Sequence, residues 1–454
     1  MIYDLIVLGA GPAGYIAAER AGNAGLKTLM LEKNEVGGVC LNEGCIPTKT
    51  LLYSAKIFDS AKEGKKYGVV AKEIAIDHEA VVKRKDSVVR SLTGGVKAKL
   101  KKSNVTIVSE FGQLSGRVED GYRVITEKSA YIGKRLLLAT GSTPIIPNIP
   151  GLKEGLKGGF VLTSKEILDL KTIPQSLVVI GGGVIGLEMA SYFNSAGSKV
   201  TVVEMLKHIG GDIDPVISEI LLKNHKKKGI EFRLNSKVVN IGDKSVTFES
   251  GGETHSIYAD KILLSVGRRP VTDGIGLETI GVEAINGKIK TDDRGKTNLP
   301  EVYAAGDCTG RFMLAHAAYR EAEVCVNNML GKKDLMRYNA MPSVIYTNPE
   351  VASVGCTEQA AKASGINYET ATLSMRYSGR YTAENEDGDG ICKIIFDKAS
   401  KKILGVHMVG NYSSEIIYGA AMMIEMEMRI RDIKEIVFPH PTVSEILREI
   451  AFEI

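Results

Sequence analysis

Three observations in this 454-residue sequence predict an α/β fold. The stretch Leu5–Glu32 (LIVLGAGPAGYIAAERAGNAGLKTLMLE) recurs as Leu177–Glu204 (LVVIGGGVIGLEMASYFNSAGSKVTVVE), at a constant offset of 172 residues. Each copy reads as apolar strand, GxGxxG turn, helix, Ala-Gly stop, second apolar strand and terminal acid, which is the β-turn-α-turn-β pattern of a dinucleotide-binding unit. The last third of the chain differs: runs such as ICKIIFD and ILGVHMVG suggest antiparallel strands. The expected architecture is two Rossmann-like dinucleotide-binding domains plus a C-terminal α+β domain.

Composition bounds the alternatives. A hydrophobic fraction of 44% and a charged fraction of 25% are ordinary for a globular protein and exclude general disorder. With 58 Lys+Arg against 54 Asp+Glu, the net charge of +4 is too mild to argue for nucleic acid. Six cysteines are too few for a disulfide-stapled scaffold. No stretch approaches the ~18 consecutive apolar residues of a spanning helix, so no membrane partner is expected. The start MIYDLIVLGAG offers no basic segment and no cleavage site, so a reducing, cytoplasmic setting is expected.

In the first repeat, Gly9, Gly11 and Gly14 let the turn and helix start approach a pyrophosphate, which free N–H groups and the helix dipole stabilise. Glu32 can accept from ribose hydroxyls. In the second, Gly181, Gly183, Gly186 and Glu204 occupy the same places. Two nucleotide sites in one chain imply electron transfer between two cofactors. Pro144, Pro147 and Pro150-Gly151 form a stiff linker before the second repeat. The strand-like KILLSVGRRP ends near Pro270, Leu299–Cys308 reads as another buried strand ending in Gly306-Asp307, and Lys332–Arg337 is a polar hinge. These marks divide the chain into residues 1–143, 144–270, 271–336 (a continuation of the first domain) and 337–454. Helices are expected over Glu415–Met428 and Val443–Ile450, and the basic clusters Lys97–Lys102 and Lys223–Lys228 read as solvated helix ends.

The segment GGVCLNEGCIPTK follows the first repeat directly. In an ideal helix Cys40 and Cys45 would have Cα atoms about 8 Å apart, beyond the disulfide limit of about 7 Å. A bridge between them therefore needs a distorted backbone, for which Gly44 and Pro47 are suited, and it would be exchangeable rather than a brace. Zinc is the competing reading, though no CxxC and no second Cys/His pair lies near. Cys308, Cys325, Cys356 and Cys392 are isolated and read as buried small apolar residues.

Over essentially its whole length the chain resembles the flavin-dependent pyridine nucleotide–disulfide oxidoreductases. The motifs are GAGPAG with Glu32, GGVCLNEGCIPTK, LLATGS, GGGVIGLE with Glu204, SVGRRP, YAAGDC, MLAH, MPSVIYTNPEVASVG and FPHPTVSE. The resemblance implies that the first repeat binds FAD and the second NAD. It implies that Glu32 takes the adenosine ribose and Asp307 the ribityl or pyrophosphate end, while Gly112, Thr140, Gly141, Ser142 and Ala315 line the flavin. Gly267 and Arg268, of SVGRRP, are carried over as cofactor-binding positions. Lys49 would lie against the flavin and pair with Glu188, where a cation stabilises reduced flavin. Glu204 is followed by Met205 and Leu206 rather than by basic residues, and a carboxylate there repels a 2′-phosphate, so NAD is favoured over NADP.

His440 stands in PHPTVSE with Glu445 five residues on, close enough in sequence for the carboxylate to fix the ring tautomer and raise its basicity. A dithiol must lose a proton before its sulfur attacks a disulfide, so a base is needed. Phe438 stands where another His is frequent in the family, which leaves the His directly before Pro441 as the matching catalytic position. The activity implied is oxidation of protein-bound dihydrolipoyl groups with reduction of NAD⁺, by a homodimer sharing its active sites through a C-terminal dimerisation domain. No lipoyl segment precedes the first repeat, so the lipoyl carrier is expected on a separate protein. No metal is expected. Sister disulfide reductases, and a structural subunit of a larger complex with incidental activity, are the alternatives.

Overall fold

A computed structural model describes residues 1–454, which divide into two compact units. The first comprises Met1–Thr50, Val82–Ile146 and Gly267–Arg337. Its sheet has a parallel core running Thr106–Val108, Thr28–Leu31, Ile2–Leu8 and Ala130–Leu138. One side of Ala130–Leu138 is shared. Its first half pairs with antiparallel Gly121–Ile125, and its last three residues pair with parallel Val302–Ala304. The strand that arrives late in sequence thus completes the sheet begun by the first repeat. These strands are continuous apolar runs because both faces are covered. Helices Pro12–Asn23 and Ala315–Met329 bury Ala17, Ala18, Ala21 and Ala322 against Leu5, Val7 and Leu137 on one face. Leu114, Ile275 and Leu277 pack with Ile6, Leu8 and Leu136 on the other.

The second unit comprises Leu51–Val81, Pro147–Val266 and Tyr338–Ile454. Its parallel sheet runs Glu231–Arg233, Lys199–Val203, Ser176–Ile180, Lys261–Leu264 and Val161–Leu162. Helix Val184–Ser195 is apolar nearly all round because it is covered on two sides. Tyr192 and Phe193 pack with Leu51, Leu52 and Ala55, and Leu187 packs with Ile217, Leu221 and Ile345. The excursion Leu51–Val81 is anchored by His78, whose Nδ1 lies 2.7 Å from the Tyr192 hydroxyl and whose Nε2 lies 2.9 Å from Leu170 O. The break between Thr50 and Leu51 has no counterpart in the sequence reading. It falls inside one continuous helix, Cys45–Glu63.

Beyond Tyr338 lies a five-stranded antiparallel sheet in the order Ser343–Ile345, Val351–Gly355, Ile403–Val409, Ile391–Asp397 and Tyr368–Ser374. Helices Ser413–Glu425 and Ile446–Phe452 close its core. No helix is long and apolar enough to cross a membrane.

Several sequence expectations shift in detail. KILLSVGRRP is two elements: strand Lys261–Leu264 ends, Gly267 takes φ +115°, and Arg268–Pro270 pairs with Ser142–Pro144 in the first unit. Of Leu299–Cys308 only Val302–Ala304 is strand. The expected helix Glu415–Met428 runs Ser413–Glu425 instead. That over Val443–Ile450 opens as a 3₁₀ turn, Val443–Glu445, before the α-helix. Cys356 is half-exposed rather than buried. The cluster Lys223–Lys228 is not wholly solvated, since His225 within it is fully buried.

Candidate active site

The two repeats coincide down to single hydrogen bonds. Gly9 and Gly181 take φ +101° and +104°, a backbone that disfavours any side chain. A Cβ on Gly14 would stand 1.9 Å from Gly9 O, and one on Gly186 would stand 2.1 Å from Gly181 O, so each helix packs on its turn only as glycine. The terminal acids reach back to those turns. Glu32 accepts from Ala10 N and Asn34 N, each at 2.8 Å. Glu204 accepts from Gly182 N at 2.6 Å and Leu206 N at 2.7 Å. Both oxygens of each carboxylate are therefore oriented by backbone donors.

Gly11 and Gly183 are the N-cap residues of the two 12-residue helices, and neither helix start has a side-chain cap. A Cβ on Gly183 would meet nothing within 4 Å, and one on Gly11 would meet only Gly38 Cα at 3.8 Å. Uncapped N–H groups, a helix dipole and space that any side chain would fill suit a dinucleotide pyrophosphate at both places.

A second cluster in the first unit gathers around Ser142. Arg268 donates from Nε to Ser142 Oγ and from Nη2 to Ser142 O, both at 2.8 Å, and Ser142 Oγ donates to Asp307 at 2.5 Å. Burial raises the Asp307 carboxyl above its usual range, against the pull of Ser142 and Arg268. Thr140 Oγ1 donates to Val271 O at 2.5 Å, and Gly141 at φ +74° has open space where a Cβ would point. Gly112 plays a packing part, since a Cβ there would stand 2.9 Å from both Leu8 and Leu31. Ala315 opens helix Ala315–Met329, whose start likewise has no side-chain cap. Sequence reasoning missed Glu321, whose Oε2 accepts from Gly306 N at 2.6 Å in the interior. An acid among the alanines of that helix was the available signal.

Cys40 lies in the short helix Gly38–Asn42, and Cys45 opens helix Cys45–Glu63. Between them Glu43 leaves helical geometry (φ −137°), and a Cβ on Gly44 would stand 3.0 Å from Val39 O. That break is the distortion a bridging pair requires. Asn42 Nδ2 ties the short helix to the segment before it by donating to Gly38 O at 2.9 Å and Val36 O at 3.2 Å. Both thiols are half-exposed. Cys40 is pushed well above the ordinary thiol range, first by its hydrogen bond to Cys45 and then by burial, while Lys49 pulls the other way. Lys49 stands one turn past Cys45 on the same helix. No group of acidic, His and Cys side chains forms a metal cage.

The remaining candidates lie in the second unit. Glu188 is buried and accepts from Tyr346 N at 3.0 Å. His440 Nδ1 is 2.9 Å from Glu445 Oε1, while Glu445 Oε2 accepts from Thr442 N at 2.9 Å, the Thr442–Glu445 pair forming a capping box. The Thr442 N–H, with help from His440, holds the Glu445 carboxyl below its usual range. Nδ1 is thereby committed and Nε2 faces outward on a side chain that is 78% exposed.

A family model described as pyridine nucleotide-disulphide oxidoreductase matches residues 3–322, and its dimerisation domain matches residues 341–451. The dihydrolipoyl dehydrogenase of Mycoplasma pneumoniae is 38% identical over 457 residues, covering 99% of this chain and 98% of that protein. The mitochondrial dihydrolipoyl dehydrogenase of Sus scrofa is 38% identical over 459 residues, covering 98% of this chain and 89% of its own. Among solved structures, the HOCl-induced flavoprotein disulfide reductase RclA from Escherichia coli superposes with a TM-score of 0.87 at 26% identity, over 99% of each chain.

Proposed function

Because the chain belongs to the pyridine nucleotide-disulphide oxidoreductase family, we propose that it is a dihydrolipoyl dehydrogenase, oxidising the dihydrolipoyl group of a separate carrier protein and reducing NAD⁺. The observation that carries this reading is the close Cys40–Cys45 pair, hydrogen-bonded across a helix break directly after the first dinucleotide cradle.

His440, its Nδ1 held by Glu445, takes a proton at Nε2 from one thiol of the substrate. The thiolate attacks Cys40 Sγ, the Cys40–Cys45 bond breaks, and Cys45 leaves as thiolate. The second substrate thiol attacks the substrate sulfur bound to Cys40 as its proton passes to the departing Cys40 sulfur, which closes the lipoyl disulfide and leaves Cys40 as a thiol. Lys49 offsets the negative charge that collects on the pair. FAD, held by the first cradle with Glu32, Ser142 and Asp307, supplies two-electron exchange between a thiolate and a nicotinamide. Gly181, Gly183, Gly186 and Glu204 hold NAD. His440 is exposed on a chain that carries a dimerisation domain. The working unit is accordingly a homodimer in which the His440 of each subunit serves the cysteine pair of the other, a contact repeated by two-fold symmetry.

Co-expression of Cys45→Ser and His440→Ala chains tests both claims. Each parent should keep bound flavin and lose lipoamide turnover, while the mixed dimer should recover about half of wild-type activity by the symmetry count. A mixed dimer as inactive as its parents overturns the shared site, and an active Cys45→Ser parent overturns the mechanism.

A further inference from the structure

After Glu204 the chain runs MLKHIGGDI and reaches helix Pro215–Lys227 through Asp214. Gly210 and Gly211 both take left-handed backbone, φ +84° and +71°, so this loop has little stiffness of its own. Its partners hold it. At its start Leu206 N donates to Glu204 at 2.7 Å, and in its middle Gly210 N donates to Gly182 O at 2.8 Å. Gly182 N in turn donates to Glu204 at 2.6 Å. The acid of the second cradle, its glycine turn and the loop therefore form one ring of hydrogen bonds, and a displaced loop takes the acid with it.

The far end of the loop is fixed from another part of the same unit. Asp214 is fully buried and caps helix Pro215–Lys227, its Oδ1 accepting from Val216 N at 3.0 Å. One turn on, Ser218 N donates to Asp214 O at 3.0 Å, while Ser218 Oγ donates to Ile209 O at 2.7 Å and accepts from Ile209 N at 3.2 Å. The other carboxylate oxygen, Oδ2, accepts from Lys393 Nζ at 2.9 Å. Lys393 is itself buried and belongs to strand Ile391–Asp397 of the antiparallel sheet. It also donates to Glu358 Oε2 at 2.5 Å. Burial works against its ammonium, but the bonds to Asp214 and Glu358 outweigh that and raise its pKa. His407, opposite Lys393 on the adjoining strand, is lowered by burial and is neutral at pH 7. Lys393 is thus the cation that compensates Asp214, and without it a carboxylate is left buried and unpaired. The apolar side of the loop rests on the same sheet, Ile209 and Ile213 packing with Ile345, Val409 and Ile391.

We propose that Lys393 is a positioning residue for the nicotinamide dinucleotide: through Asp214 it fixes the end of loop 205–213, and so sets Glu204 and the turn at Gly182 in the place where the ribose is received. The inference rests on the reading of the second repeat as the NAD site. Lys393 lies within the part of the chain matched by the dimerisation domain, so that domain reaches back to adjust the grip of a dinucleotide cradle.

The test compares wild type, Lys393→Met and the double variant Asp214→Asn/Lys393→Met as flavin-loaded enzyme. The double variant leaves no unpaired buried charge at Asp214, and its asparagine keeps the helix cap, so it should melt close to wild type. If Lys393→Met alone fails to fold, the double variant carries the test. The dissociation constant for NADH, from fluorescence titration, and the KM for NAD⁺ should both rise about tenfold, while kcat and the KM for dihydrolipoamide stay within about twofold of wild type. Hydrogen exchange in the peptide covering residues 205–213 should quicken in step. A double variant that binds NADH as wild type does overturns the inference and leaves the ion pair a brace of the fold. A loss spread evenly over NADH affinity, dihydrolipoamide KM and flavin content overturns it too. A wild type that does not bind NADH brings down the reading of the second repeat, and the inference with it.

Discussion

The two dinucleotide cradles share a backbone and differ in what covers it. In the first, a Cβ on Gly11 would meet Gly38 Cα at 3.8 Å, and the helix bearing Cys40 follows at once. In the second, the space beside Gly183 is open, and Glu204 is followed by exposed Met205 and Leu206. Both attract an anion by the same means, so the difference lies in how readily the ligand leaves, which is where related sites usually diverge. A cradle closed by the chain's own redox segment suits a resident cofactor. An open one suits a cofactor that enters, reacts and departs.

That contrast should break first in acid. His225, in helix Pro215–Lys227 of the second unit, is fully buried and has no partner on either ring nitrogen. Burial, with a contribution from Lys228, lowers its pKa to about 3. An unfolded histidine titrates near 6.5, so between those values the unfolded chain binds the extra proton. Stability is full above pH 6.5 and drains away as the pH falls toward 3, with about 3 kcal/mol lost by pH 4. The first unit has only His316, which is exposed, so urea melts followed by hydrogen exchange should show the second unit loosening first. His225→Phe should flatten the dependence, and an unchanged acid profile in that variant would sink the assignment.

Swapping one glycine in each cradle sharpens the contrast. Gly14→Ala and Gly186→Ala push a methyl to 1.9 and 2.1 Å from the carbonyl of the preceding turn, an overpacking worth about 1–3 kcal/mol. The first should yield protein with depleted flavin. The second should stay yellow and show a raised KM for NAD⁺. If both lose flavin alike, the division of cofactors between the cradles is wrong.

The smallest effect concerns the acid of the open cradle. With dihydrolipoamide as donor, kcat/KM for NAD⁺ should exceed that for NADP⁺ by at least tenfold, or about 1.4 kcal/mol. Glu204→Ala should narrow the gap by removing a carboxylate that repels a 2′-phosphate. A wild-type preference for NADP⁺ would reverse the reading of Glu204.

Local chemistry explains how much of this was legible beforehand. The cradles could be read because their glycines are demanded by contacts within 22 residues, Gly9 with Gly14 and Glu32 with Ala10. The break between Cys40 and Cys45 was foreseeable from the mismatch between helix spacing and disulfide reach, and Gly44 marked its neighbourhood, although the departure at Glu43 itself left no sign. Contacts across long sequence distance left no such trace. Arg268 bracing Ser142, Glu321 holding Gly306 N and His78 anchored on Tyr192 all depend on which elements become neighbours, and periodicity is silent about that. The ion pair of Asp214 and Lys393 spans 179 positions and belongs with them.

Strand Val302–Ala304 fills the place beside Leu136–Leu138 that no earlier strand takes. During synthesis at about 5–20 residues per second, it leaves the ribosome roughly 8–30 s after its neighbour. For that interval the first sheet carries an unpaired edge along residues that end up fully buried, while the intervening second repeat is still being made. Such an edge is a template for pairing with other chains. The nascent protein is therefore most in need of a chaperone in this window, and a release of synthesis between residues 140 and 300 yields a fragment whose first sheet cannot close.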